Sequence, residues 1–184
     1  MTTALPSPDE VLAFWFDETE PRQWWSRSDT FDRKIAARFG SLHEAAARCE
    51  LHAWRATPPG RLAEIIVLDQ FSRNLHRDRP RAFACDSLAL ALAQVAVATG
   101  ADQALPPVQR AFLYMPYMHS ESPAIHELAM VLFSQPGLEG NLDFELRHKA
   151  IIDRFGHYPH RNAVLGRPSS AEEIAFLQTP GSSF

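Results

Sequence analysis

The chain has little cysteine, and what it has is poorly placed for chemistry. Cys49 and Cys85 are the two in 184 residues, far apart and without CxxC or Cys/His spacing, which excludes a disulfide framework and a zinc-finger pattern. Both are expected as reduced, half-buried helix residues. Long apolar runs are also missing. The longest, "LALALAQVAVA", is 11 residues with Gln94 inside it, well short of the roughly 20 that a spanning helix needs. The N-terminal stretch "MTTALPSPDE" lacks the basic start and apolar centre of a secretory leader, so a soluble, cytoplasmic chain with no membrane partner is expected. There is no excess of positive charge: 18 Lys and Arg face 22 Asp and Glu, a net charge of −4, which gives no electrostatic reason for a nucleic-acid partner. No run alternates apolar and polar residues between hairpin turns, so strands are not predicted.

What is present is helix signal from end to end. Ser7-Pro8-Asp9-Glu10 places an N-cap serine, a proline at the first helical position and a glutamate at the third, and predicts a helix opening there. Phe31, Ile35 and Phe39 recur every fourth residue and lead into Leu42, Ala45, Ala46 and Cys49, an apolar face; Gly40 either ends one helix or is tolerated within a longer one. "RLAEIIVLDQFSRNL" is apolar nearly all round, the pattern of a central buried helix. "RPRAFACDSLALALAQVAVATG" predicts another long helix with Gly100 at its end. Pro106 and Pro107 open the next, which Pro116 should end or kink. Ser122-Pro123 caps "AIHELAMVLF", "LEGNLDFELRHKAIIDRF" ends at Gly156, and Ser169/Glu172 or Ser170/Glu173 supplies a capping box for the last helix. The class is all-α: one domain over residues 1–184, about eight helices with antiparallel neighbours joined by short loops. No repeat of fixed period is visible.

Function should lie where polar residues interrupt the apolar faces. Asp69 and Arg73 are one helical turn apart within the stripe of Leu62, Ile65 and Ile66, and Gln70 and Asn74 form the adjacent pair. An inward ion pair of this kind either ties helices together or forms part of a site, because its attraction only roughly offsets the desolvation of two charges. His148 sits on the same face as Phe144, Ile151, Ile152 and Phe155, and is either a core imidazole bonded to a carbonyl or a functional ring. Beyond Gly156, Pro159 stiffens a loop presenting His157, Tyr158, His160, Arg161 and Asn162. His119, Ser120 and Glu121 precede a capped helix start, with His126 inside it, where an acid/base pair or a bound anion fits. Arg73, Arg77, Arg79 and Arg81 are expected mostly as solvated surface, and Trp15, Trp24, Trp25 and Trp54 as packing anchors. The "HRD" at His76 lacks every other kinase element, "HSE" is not a triad by adjacency, and without HExxH the His157/His160 spacing marks no metal site, so no metal or cofactor is expected.

"FWF" with "WW", "LDQFSRN" leading to "RAFACD", "HSE" after a proline-interrupted helix, and "IIDRFGHYPHRNAVLGRPSSAEEIAFL" together resemble the bacterial family catalogued as domain of unknown function 924, from about Val11 to Leu177. The resemblance implies a TPR-like stack of antiparallel helices and no transferable activity. It covers Asp69, Gln70, Arg73, Asn74, Asp86, His119, Ser120, Glu121, His148, Arg154, Pro159, His160, Arg161 and Asn162, and departs at His157, where arginine is expected, and at His126, where glutamine is. The leading expectation is a polar pocket that binds a small anionic ligand or a peptide terminus, with Arg73 and Arg161 gripping it and Asp69 and Asn162 orienting them. The alternatives are a hydrolytic or acid/base enzyme using Glu121 with His148 or His160, and a TPR-like scaffold for a protein partner whose polar core is purely structural.

Overall fold

The computed structural model describes residues 4–183; Met1 to Thr3 and Phe184, which belong to the predicted 1–184 domain and in part to the stretch read for a leader, lie outside them. Among the described residues the chain is helical with no strand. The first helix, α1 (Pro8–Leu12), opens with the predicted capping box: Ser7 accepts from the Glu10 N–H and the Glu10 carboxylate accepts from the Ser7 N–H. A π-helical turn, Ala13–Asp17, extends it and presents Phe14 and Trp15 to the core. After the short α2 (Pro21–Trp24), α3 (Asp29–Ala47) starts at the Ser28 cap and buries Phe31, Ile35, Phe39 and Leu42 on one stripe. Gly40 lies in mid-helix, so of the two possibilities α3 runs through it.

The central helix is as buried as its sequence implied. Thr57 caps α4 (Pro58–Ile66), a π turn over Val67–Phe71 follows, and α5 (Ser72–Leu75) completes one uninterrupted helical run. Every residue from Leu62 to Ser72 is buried. The π turn adds a residue to one turn and offsets the faces on either side of it, which the apolar pattern alone did not reveal.

The long helix expected from Arg79 is instead a 3-10 turn, Pro80–Phe83, followed by α6 (Asp86–Ala98). The break places Asp86 at the favourable N-terminal end of the α6 dipole. By length and composition Pro80–Ala98 could cross a membrane, which for a single helix is weak evidence; 28% of that stretch is buried, including Ala89, Ala93 and Ala96, and α6 packs against α4 and α7. Gly100, with φ +70°, ends α6 in the left-handed conformation that glycine adopts without a Cβ clash.

Pro116 falls within α7 (Pro107–Met118), which continues to Met118 before stopping. Short loops then fold α8 (Pro123–Phe133) and α9 (Glu139–Phe155) back along α7. Ser122 occupies the cap position of α8 without a side-chain hydrogen bond. After α10 (Asn162–Leu165), Ser170 and Glu173 form the capping box of α11 (Ala171–Phe176), while Ser169 accepts from the Asn162 amide instead.

Among the described residues two apolar clusters result. The large one joins Phe14, Phe39, Phe71 and Phe112 with Trp15; the small one is Ile151, Ile152 and Tyr158, with Phe155 and Phe176 against it. The Tyr158 hydroxyl donates to the Met118 carbonyl at 2.6 Å and ties the small cluster to the end of α7. Trp15 is a core anchor as expected, but Trp25 is 64% exposed. Cys85 is buried, whereas Cys49 is exposed past the end of α3 with φ +60°.

Candidate functional site

Asp69 lies in the π turn, fully buried, and three side chains converge on it. His119, at the end of α7, donates from Nδ1 to Asp69 Oδ1 at 2.8 Å, the Gln70 amide donates to Oδ2 at 2.6 Å, and Arg73 Nη1 lies 3.3 Å from Oδ1. Burial alone would raise this carboxyl's pKa, but the His119 and Arg73 neighbours outweigh it and hold the group well below the usual carboxylate range. The expected Asp69/Arg73 pair is therefore inward-facing and charged.

Arg73 turns its fork to Asp86, with Nη1 and Nη2 each 3.1 Å from a carboxylate oxygen. Asp86 also receives Arg161 Nη1, at a longer 3.4 Å, and Arg161 Nη2 donates to the His119 carbonyl at 3.0 Å. The Arg161 guanidinium sits between two rings, 4.6 Å from the Phe83 centroid and 4.6 Å from that of Tyr158, a placement suited to its delocalised cation. Its Nε is buried without a hydrogen-bond partner. Burial, then the nearby Arg73 charge, lowers its pKa.

In front of this network lies a cleft of about 310 Å³ whose polar wall is Asp86, Ser87, His119, Ser120, Glu121 and Arg161, with Phe83 and Leu90 among its apolar residues. The volume is at the lower end of small-molecule sites. The N-terminus of α6 enters the wall at Asp86 and Ser87, and no side chain caps it. His119 has its Nδ1 committed to a buried carboxylate, the arrangement that orients an imidazole for proton transfer at its other nitrogen.

Other predicted residues lie elsewhere. Gln70 is behind Asp69, with its amide also against the Met115 sulfur at 3.2 Å. Asn74 points to α3, where it and Arg77 share Asp32; beyond the π turn this face no longer follows the Gln70 side. His148 bonds through Nδ1 to the Phe144 carbonyl and meets the Tyr158 ring edge-on at 5.8 Å. His160 packs against Tyr158 at 5.6 Å. Asn162 joins Ser169, Glu173 and Arg167 and orients neither Arg73 nor Arg161; Asp86 does that, and Arg73, expected to grip the ligand beside Arg161, is not part of the cleft lining because its fork is turned to Asp86. Of the 148–162 stretch, Arg161 alone lines the cleft.

Glu121 lines the cleft but is fully engaged. Arg167 donates to both its oxygens, at 2.6 and 2.9 Å, and the Tyr158 N–H donates to Oε1. Burial favours its neutral form, but those donors and Arg161 lower its pKa overall. Arg167 was missed by sequence reasoning. It follows Gly166, whose φ of +68° turns the chain back so that the Arg167 N–H reaches the Asn162 carbonyl, a return that spacing does not encode. The two departures from the family pattern also lie off the cleft: His157 pairs with Glu173 at 2.5 Å, and His126 is buried between Glu145 and the Ser120 carbonyl. Of the arginines read as mostly solvated surface, Arg79 and Arg81 are exposed while Arg73 and Arg77 are half-buried; Arg77 and Arg81 pair with Asp32 and Glu44.

The fold and the family have counterparts among known proteins. A solved structure from Agrobacterium tumefaciens, of a protein of unknown function designated ATU0120, superposes with a TM-score of 0.89 at 35% identity, covering 93% of this chain and 96% of that one. No curated protein matches the chain. The family model described as bacterial protein of unknown function (DUF924) matches residues 11–181, and the chain belongs to that family.

Proposed function

We propose that the cleft binds a small anion, either a free carboxylate or phosphate compound or the carboxyl terminus of a peptide, with Arg161 as its principal contact. One observation carries the reading: a buried guanidinium lining an open cleft with Nε unpartnered and Nη1 only 3.4 Å from its carboxylate. A cation so incompletely matched favours an added anion. The uncapped N-terminus of α6 in the same wall supports the same choice, because its N–H groups and dipole favour negative charge. Asp69 and Asp86 then position the arginines, and His119 supplies a donor or acceptor at the edge.

The acid/base alternative through Glu121 has weaker support, since both Glu121 oxygens are engaged by Arg167 and the Tyr158 N–H. In the preferred reading the chain is one cytoplasmic, TPR-like domain whose recognition site is this cleft rather than an outer concave face. Calorimetric titration with a panel of small carboxylates, phosphates and peptides should find a ligand whose affinity falls at least about tenfold in Arg161→Gln, about 1.4 kcal/mol. Equal affinity in Arg161→Gln for every ligand found would sink the proposal.

A further inference from the structure

We infer that His43, His76 and Glu44 form a second site, separate from the cleft, that takes up a divalent first-row transition ion, with zinc as the best match. The argument begins with a serine. Ser72 Oγ lies 2.5 Å from the Leu68 carbonyl, which can only accept, so its one proton goes there. The hydroxyl must therefore accept from His43 Nε2, 2.7 Å away. In the neutral ring that assignment leaves Nδ1 as a bare lone pair. It is buried and has no hydrogen-bond partner.

His76, at the C-cap of α5, carries a second orphan nitrogen: its Nε2 is also buried without a hydrogen-bond partner. The two rings stand 5.3 Å apart at 67°. Leaving a buried nitrogen unbonded on each of two neighbouring imidazoles is unfavourable, and an electron-pair acceptor held by both rings removes the problem. The Glu44 carboxylate completes the set: one donor atom from each of His43, Glu44 and His76 lies within 4.8 Å of the others. A tetrahedral zinc with bonds of about 2.0–2.1 Å needs donors about 3.3 Å apart, so the cluster must close by at most about 1.5 Å. Glu44 is on a half-exposed surface and His76 at a helix end, where such movement is easiest.

Two imidazoles and a carboxylate match zinc and leave a fourth position for water. Ser72 fixes the His43 tautomer, as outer partners of metal-bound histidines do. Arg81 opposes binding, because its guanidinium pairs with Glu44. Its side chain is 54% exposed, so it can swing into solvent when an ion arrives. Its charge then weakens the site without closing it.

The test uses untagged, chelator-stripped full-length protein and two probes: zinc, followed by competition with a chromophoric chelator, and cobalt(II), followed by its visible absorption. One equivalent should bind, with the intense cobalt bands of four-coordinate geometry. His76→Gln should lower zinc affinity at least about tenfold, Arg81→Gln should raise it about threefold or more, and His52→Gln, an exposed histidine, should leave it unchanged. If His43→Gln fails to fold, the His76 and Arg81 variants decide alone. Zinc uptake that is absent, or equal in wild type and His76→Gln, overturns the site and leaves a bridging water between the rings.

Discussion

Among single residues, His148 shows how an apparent functional signal can be structural. A lone imidazole on an apolar helix face is suspicious in sequence, yet here it bonds to the Phe144 carbonyl and packs against Tyr158. Burial lowers its pKa from 6.5 to about 3. A histidine whose folded pKa is depressed contributes stability that is present above its unfolded value and lost as pH falls through the interval toward the folded value. The window here runs from about 6.5 down to about 3, with a slope of up to about 1.4 kcal/mol per pH unit. His148→Leu should therefore be about 1 kcal/mol less stable than wild type at pH 7.5, through the lost hydrogen bond. By pH 4.5 the order should reverse, because the variant no longer loses stability to protonation. Urea unfolding at both pH values checks this; parallel pH profiles would show that the ring is not held neutral by burial.

Among the elements, the signals with a local physical cause were legible and those created by tertiary return were not. The α1 capping box, the Phe31/Ile35/Phe39 stripe and the all-round apolarity of α4 predicted their own burial. The π turn at Val67–Phe71 and the break before Asp86 have no compositional mark, since such turns use the same residues as α-helix. Glycines divide along the same line. Gly40 lies within α3 and a Cβ there meets nothing within 4 Å, so Gly40→Ala should stabilise the protein by about 0.5–1 kcal/mol. At Gly60 a Cβ would lie 2.1 Å from the Trp54 carbonyl oxygen, where only backbone movement relieves the clash. Gly60→Ala should cost about 2–4 kcal/mol. Thermal melts of the two variants should move in opposite directions; a Gly60→Ala protein as stable as wild type would mean that the turn before α4 is soft.

For the molecule as a whole, the sequence made the site's ingredients visible but not its centre. Asp69, Arg73, His119 and Arg161 interrupted apolar patterns and do converge. The residue that joins the two arginines is Asp86, which the sequence placed in the middle of one long helix and marked only as a position shared with the family. Its importance comes from the meeting of α6, the end of α7 and the Arg161 turn, and no single segment contains that information. Because Asp86 offsets two arginines in a partly desolvated setting, Asp86→Asn should cost about 2–3 kcal/mol, less than a fully buried pair because the carboxylate is 17% exposed. It should also leave the arginines dependent on an external anion. Phosphate or sulfate should then stabilise Asp86→Asn more than wild type, by an increment that grows logarithmically with concentration. Denaturant titrations across a phosphate series, with chloride holding ionic strength constant, separate this from screening. An Asp86→Asn deficit that no anion reduces would place the role of Asp86 in packing, and would weaken the case that the cleft itself selects negative charge.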